Sequence, residues 1–225
     1  MADRVAGLLV AALVAGGCAA EPSPLIEEAR GPVRFEGTRL LLPAPTDGRT
    51  PARPRDPREA ERGRLRAVGT GSGTVVLLRA DRDPPTTAAR VALGDGAVVA
   101  LAFGDGEAAR HLYVALDDRR LVTIDLEADG GPAVVDTLVT RDALGLAADA
   151  ERLVLLTDEP RRRVLRFDLW DPARPRIDGS IAVGRADGVA IEDGRLVLFD
   201  DGGPARLYRF AGGSGTVTVH QSVNQ

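Results

Sequence analysis

The fold is decided by residues 188–199, which read GVAIEDGRLVLF. Two short apolar runs, Gly188–Ile191 and Leu196–Phe199, flank the turn Glu192-Asp193-Gly194. Short β-rich runs bounded by turn residues are the usual signal of paired strands. The stretch therefore predicts a β-hairpin.

The same pattern recurs along the chain. Residues 99–115 hold one copy, and residues 144–156 hold another. The equivalent leucines Leu112, Leu153 and Leu196 are separated by 41 and 43 residues. This spacing matches a four-stranded propeller blade, whose period is about 40 to 45 residues. The repeat predicts a β-propeller.

An earlier copy of the hairpin is expected in residues 31–42, but its Leu40 precedes Leu112 by 72 residues. The excess predicts an insertion rich in proline and arginine at about residues 43–73, in the turn between the second and third strands of the first blade. Each cycle also supplies two further strands. The expected third strands are Val75–Leu78, Leu121–Asp125, Val164–Asp168 and Leu207–Phe210, and the expected fourth strands are Ala88–Leu93, Ala133–Val139, Ile177–Val183 and Thr216–Val219.

The predicted fold class is all-β and propeller-like, with about four four-stranded blades in a domain over residues 31–225. The sequence leaves two arrangements open, a closed four-bladed ring and a partial propeller completed by self-association or by another chain. The choice matters because an open propeller leaves unpaired strand edges that invite association. An oligomer is expected only in the open case.

Two segments resemble repeats of known bacterial propellers. Residues 180–196, which read SIAVGRADGVAIEDGRL, are similar to the YVTN-type repeat, in which a strand ending in Val-Gly leads to a GVA strand and a DG turn. Residues 167–175, which read FDLWDPARP, resemble the LVIVD-type repeat of surface propellers. Both resemblances imply the fold, and propellers host many unrelated functions.

The amino terminus predicts export. Residues 5–17 read VAGLLVAALVAGG, an apolar run suited to the core of a signal peptide and too short for a comfortable bilayer span. Ala15-Gly16-Gly17 before Cys18 resembles the lipobox of bacterial lipoproteins, which implies cleavage after residue 17 and lipidation of Cys18. Residues 18–30 are expected to be a tether, and the protein is expected to be extracytoplasmic, periplasmic or on the cell surface, with an ordinary secretory signal as the alternative.

Composition limits the function classes. A formal net charge of −4 and a pI near 5.3 disfavour nucleic acid, because its binding proteins carry a basic footprint. Cys18 is the single cysteine, so an intramolecular disulfide and a multi-cysteine zinc site are excluded.

A candidate binding face is expected where the second-to-third turns and the blade-joining loops meet. Clustered carboxylates can hold a hard cation or share a proton, although Asp also suits turns for its own hydrogen bonding. No cofactor or metal ligand is predicted, and calcium is the ion that this face would suit. The candidate residues are the acids Asp117, Asp118, Asp158, Glu159, Asp200 and Asp201 and the arginines Arg53, Arg55 and Arg58 of the insertion.

Catalytic signals are sparse. His111 and His220 are the two histidines, and neither has a partner at motif spacing. Trp170, the single tryptophan, is expected to pack between blades. The leading hypothesis is a non-enzymatic lipoprotein scaffold that attaches to a membrane through its lipid and binds a protein or an envelope polymer. The alternatives are a hydrolase resembling metal-dependent lactonases, which would use carboxylates and an asparagine although Asn224 is the sole asparagine, and a partial-propeller structural subunit.

Overall fold

The computed structural model describes residues 56–158, 162–200, 205–210 and 217–218, which form sixteen β-strands in four sheets. The first two sheets contain the strands β1 (Glu59–Arg62), β2 (Leu65–Gly69), β3 (Thr74–Arg79), β4 (Thr86–Ala92), β5 (Val98–Phe103), β6 (His111–Leu116), β7 (Arg120–Asp125) and β8 (Ala133–Val139). The other two contain β9 (Ala143–Ala148), β10 (Arg152–Thr157), β11 (Arg163–Asp168), β12 (Arg176–Ala182), β13 (Gly188–Glu192), β14 (Arg195–Phe199), β15 (Arg206–Phe210) and β16 (Val217–Thr218). A 3₁₀ turn, Gly106–Arg110, joins β5 to β6.

Each sheet is an antiparallel meander whose strands pair in chain order. The first strand of every sheet lies at the centre of the molecule, and these four inner strands line one shared cavity. The result is a four-bladed β-propeller arrangement, as the repeat spacing predicted.

The second strand of each blade explains the strongest sequence signal. The side chains of β6 are all buried, and in β10 and β14 only the opening arginine is partly exposed. A strand packed on both faces reads as a continuous apolar run, whereas the outer strands have water on part of their surface and mix polar with apolar residues. The quoted runs at 112–115, 153–156 and 196–199 are such strands.

Consecutive blades pack face to face through apolar clusters. One cluster joins blades 1 and 2 around Leu77 and Leu112, a second joins blades 2 and 3 around Tyr113 and Phe167, and a third joins blades 3 and 4 around Leu156. Burying one such leucine or phenylalanine side chain contributes about 1.5 to 3 kcal/mol. Packing between blades therefore holds the sheets together.

The first blade corrects the sequence prediction. Its inner hairpin is β1 and β2, within the segment expected to be an insertion, so the prediction of a loop is wrong for residues 59–69. These strands escaped detection because they are charged: Arg66 of β2 pairs with Glu59 at 2.5 Å and with Glu61 at 3.5 Å across the hairpin. With β2 starting at residue 65, the second strands recur at 65, 111, 152 and 195, a regular repeat.

Several predicted features lie outside the described residues. They are the strands expected at 31–42, the signal peptide, the tether with Cys18, the insertion up to residue 55, His220 and Asn224. Within the part of the chain that the structure describes, no helix has the length and hydropathy needed to cross a membrane.

Candidate functional site

The upper face of the propeller is defined here as the end where second-to-third turns meet blade-joining loops. Each turn is hydrogen-bonded there to the loop that leads into the same blade. The Asp117 carboxylate accepts a hydrogen bond from the backbone N–H of Ala97 at 2.8 Å, and the Asp158 N–H donates to the Asp142 carbonyl at 2.9 Å. Turn and loop residues that are distant in sequence are therefore in direct contact.

Arg120 holds one of these junctions. Its guanidinium pairs with the Asp118 carboxylate at 2.6 Å and donates to the Leu93 carbonyl, in the loop between blades 1 and 2, at 2.9 Å. The hydrogen bond to Asp118 raises the pKa of Arg120 and so keeps the guanidinium charged. Asp118 thus acts as the acidic partner of a cation that fastens two blades.

Two further arginines make related contacts with the loop between blades 3 and 4. Arg162 pairs with Asp158 at 3.4 Å and donates to the Ala186 carbonyl. Arg206 pairs with Asp200 at 2.7 Å and donates to the Val183 carbonyl at 2.8 Å. A planar guanidinium can contact a carboxylate and a carbonyl at once, and these three arginines do so.

In the structure, the described acids of the predicted binding face make contacts within the protein. Asp118, Asp158 and Asp200 are arginine partners, and Asp117 binds a backbone N–H. Over residues 56–158, 162–200, 205–210 and 217–218, no group of three or more His, Cys, Asp or Glu side chains is close enough to hold a metal ion. Glu159, Asp201, Arg53 and Arg55 lie outside the described residues.

Arg58 is also at the upper face, where the chain enters β1. Its backbone carbonyl accepts from the N–H of Gly69 at 2.8 Å, and its guanidinium pairs with Asp56 at 3.1 Å. The hydrogen bonds from Arg58 lower the pKa of Asp56. Arg58 therefore pairs within its own loop, whereas the acids of the other blades pair with other arginines.

The central cavity has a volume of about 360 Å³. Much of its wall is backbone and small side chains of the inner strands, among them Ala60, Ala102 and Gly145. Glu59 and Glu61 also line it and are the carboxylates paired with Arg66. The cavity offers space and backbone polar groups to a small ligand.

The lower face is the opposite end, formed by first-to-second turns and third-to-fourth loops. Arg110 pairs there with Asp125, and His111 beside it is buried. Burial lowers the pKa of His111 more than the nearby Asp125 carboxylate raises it, so the neutral imidazole is favoured. The Tyr113 hydroxyl donates to the Pro172 carbonyl at 3.0 Å and so links blade 2 to a loop of blade 3.

Trp170 belongs to that loop, and the prediction that it packs between blades is wrong. Its side chain is 93% exposed. Strand β11 ends at Asp168, whose carboxylate accepts the backbone N–H of Trp170 at 2.9 Å and turns the chain outward. Asp168 and Asp171 are close to Trp170 in the sequence, and because aspartate favours turns they could have predicted that Trp170 lies in one.

Large apolar side chains are exposed at few described positions. Besides Trp170 they are Val134, Val135 and Val139, all on the outer strand β8. Three exposed valines thus lie on one strand at the rim of a blade, and the sequence pattern does not reveal that they are exposed.

Comparisons with known proteins support the fold. No protein-family model and no curated protein matches the chain. Among solved structures, a chain of the mitotic checkpoint complex matches with a TM-score of 0.53 and 15% identity, over 65% of this chain and 46% of that one. A functionally unknown protein from Desulfotomaculum acetoxidans DSM 771 matches with a TM-score of 0.54 and 15% identity, over 68% and 48% of the two chains.

A candidate 6-phosphogluconolactonase from Bacteroides uniformis ATCC 8492 matches with a TM-score of 0.57 and 14% identity, over 71% of this chain and 51% of that one. The present chain thus spans about half the length of the solved structures it matches. Similarity at this level of identity shows the propeller fold and nothing about activity.

Proposed function

We propose that the protein is a non-enzymatic, lipid-anchored propeller of the bacterial envelope that binds an extended polypeptide along the outer strand β8. One observation carries the proposal: three of the four exposed large apolar residues in the described part of the chain lie on this strand. Strand addition to a sheet edge combines main-chain hydrogen bonds with side-chain specificity. Export and the lipid anchor rest on residues 1–18 of the sequence.

The outer strands of the neighbouring blades differ from β8. Arg90 of β4 and both Arg176 and Asp178 of β12 are exposed and charged. Charged residues on edge strands are a common protection against unwanted pairing. Strand β8 lacks this protection at its exposed positions, which are Val134, Val135, Thr137 and Val139.

The residues on the two faces of β8 determine which side chains an added strand would need. Leu138 lies opposite Leu121 and packs against the second cluster, and Asp136, two residues earlier, shares that face. Val139 and Thr137 are on the other face. Asp136 makes no ion pair with any other residue that the structure describes. An added strand would therefore have small apolar residues on one face and an arginine or lysine opposite Asp136 on the other.

The test uses a short fluorescent peptide of alternating valine and arginine, with the full-length protein and binding followed by anisotropy. Val139→Lys should weaken binding at least about tenfold, because a charge is placed on the contact face. The matched control, Ala92→Lys, puts the same charge on an exposed position of β4 and should leave affinity unchanged.

A peptide with glutamate in place of arginine should bind much more weakly, because it meets Asp136 with a like charge. Equal binding of both peptides, or equal effects of the two lysine variants, would contradict the proposal. If β8 pairs instead with a second copy of the chain, the protein alone will dimerise, and Val139→Lys will restore the monomer.

A further inference from the structure

The loop from Leu169 to Pro175 forms a second surface feature, on the lower face of blade 3. It borders a surface pocket of about 520 Å³. The residues that line the pocket are Asp168, Trp170, Asp171, Pro172, Arg174 and Arg176. This site is on a different blade from β8 and is independent of the function proposed above.

The loop is held in place by its own hydrogen bonds. Asp168 accepts from the backbone N–H of Trp170 at 2.9 Å, and Asp171 accepts through its carboxylate from Ala173 at 3.2 Å and through its carbonyl from Arg174 at 2.9 Å. The bond from the Tyr113 hydroxyl anchors the loop to blade 2. Trp170 is therefore presented to solvent by an ordered turn, and a ligand need not order the loop before binding.

The exposure of Trp170 means that its indole contributes almost no burial to folding. An indole ring buries more apolar area than almost any other side chain, yet this one is 93% exposed. Its flat apolar face is available to a ligand with a matching flat, weakly polar surface.

The charges around the ring limit that ligand further. Arg174 and Arg176 make no ion pair with another described residue, and each offers guanidinium N–H donors. Asp168 and Asp171 each use a carboxylate oxygen in the turn and retain further acceptor capacity. Two positive and two negative side chains leave the pocket without net charge, which disfavours strongly charged ligands.

We propose that this pocket binds a pyranose ring of an uncharged glycan. A sugar ring has an apolar C–H face that can stack on the indole, and hydroxyl groups that both donate and accept hydrogen bonds. These groups match Trp170, the two arginines and the two aspartates. An anionic ligand would meet the aspartates, and a cationic ligand would meet the arginines.

Intrinsic fluorescence tests the proposal at the site itself, because Trp170 is the only tryptophan of the chain. The full-length protein is titrated with hexasaccharides of glucose, mannose, galactose and N-acetylglucosamine. At least one of them should shift the emission to shorter wavelength and protect Trp170 from quenching by acrylamide. Absence of any shift with all four would overturn the proposal.

Variants measured by calorimetry separate the roles of the residues. Trp170→Ala should weaken binding of the responding hexasaccharide at least about tenfold, and Arg174→Ala severalfold. The matched control, Arg82→Ala, removes an exposed arginine from the equivalent loop of blade 1 and should have no effect. Because the Trp170 side chain is exposed, its loss should leave the thermal midpoint of unfolding unchanged.

Two further probes have outcomes that would overturn the assignment. A response confined to hexagalacturonate would show an anionic ligand. A blue shift with vesicles of phosphatidylethanolamine and phosphatidylglycerol, and none with sugars, would show that Trp170 inserts into a lipid surface. If none of the sugars binds, the β8 proposal is unaffected, because the peptide assay reports on a different blade.

Discussion

The contacts that arginines make with blade-joining loops at the upper face should contribute measurably to the free energy of unfolding. Arg120 provides the clearest test. Arg120→Ala removes a charged hydrogen bond of 2.9 Å to the Leu93 carbonyl, and such bonds contribute about 1.5 to 3 kcal/mol. It also removes the partly exposed pair with Asp118, which contributes at most about 1 kcal/mol. We expect the free energy of unfolding to fall by about 2 to 3 kcal/mol in total.

The assay is urea unfolding at equilibrium, followed by circular dichroism, on the parent protein and two variants. Asp118→Asn breaks only the ion pair and leaves the Leu93 carbonyl bonded to Arg120, so its cost should stay below about 1 kcal/mol. The reasoning is refuted if Arg120→Ala costs no more than Asp118→Asn. That result would mean that the guanidinium does not fasten the loop between blades 1 and 2.

Three other perturbations have defined outcomes. Gly73 and Gly63 have similar positive φ angles, +65° and +59°, but a Cβ on Gly73 would lie 2.0 Å from the Gly94 carbonyl oxygen, whereas nothing lies within 4 Å at Gly63. In urea unfolding, Gly63→Ala should cost about 1 kcal/mol and Gly73→Ala about 3 kcal/mol or more; equal costs would contradict the predicted clash. Tyr113→Phe removes the bond to the Pro172 carbonyl and should cost about 0.5 to 1.5 kcal/mol by the same assay. Burial lowers the pKa of His111 in the folded state, so the unfolded chain takes up the proton first. The thermal midpoint should therefore fall as pH drops below about 6.5, and His111→Gln should weaken this dependence; an unchanged profile in the variant would assign it to other groups.

The propeller was predictable because its second strands are buried on both faces. Such strands must be continuously apolar, so 112–115, 153–156 and 196–199 mark the repeat whatever the other strands contain. The third and fourth strands of blades 2 and 3 were also found near their predicted bounds. The apolar runs and their spacing together therefore predict the architecture of these blades.

The first blade was mispredicted for a physical reason. In β1 and β2, Glu59 and Glu61 both pair with Arg66 across the hairpin, and Ala67 alone in β2 is fully buried. Charged residues favour the prediction of a loop, because the sequence does not show which charges pair across strands. The apolar residues 31–42 were the stronger pattern, and the prediction followed them.

The candidate site was partly predictable. Sequence placed Asp118, Asp158 and Asp200 on the upper face, because turns at equivalent positions of a repeat lie at the same end of the sheets. It could not show their pairing with arginines, since Arg120, Arg162 and Arg206 reach across to carbonyls of blade-joining loops. Exposure of Trp170 depended on a turn of a few residues, which a repeat period does not describe.

Arginine serves stability at the upper face and lines the proposed glycan pocket at the lower face. A guanidinium can bind a carboxylate and a carbonyl together, so Arg120 fastens the loop between blades 1 and 2, and Arg162 and Arg206 fasten the loop between blades 3 and 4. Four of the six acids of the predicted binding face, Asp117, Asp118, Asp158 and Asp200, take part in contacts of the upper face. Arg174 and Arg176 are the same residue type on the lower face, but no described carboxylate forms an ion pair with them. Binding should therefore be lost when groups at the lower face and rim are changed, and stability should be lost when the upper-face arginines are changed.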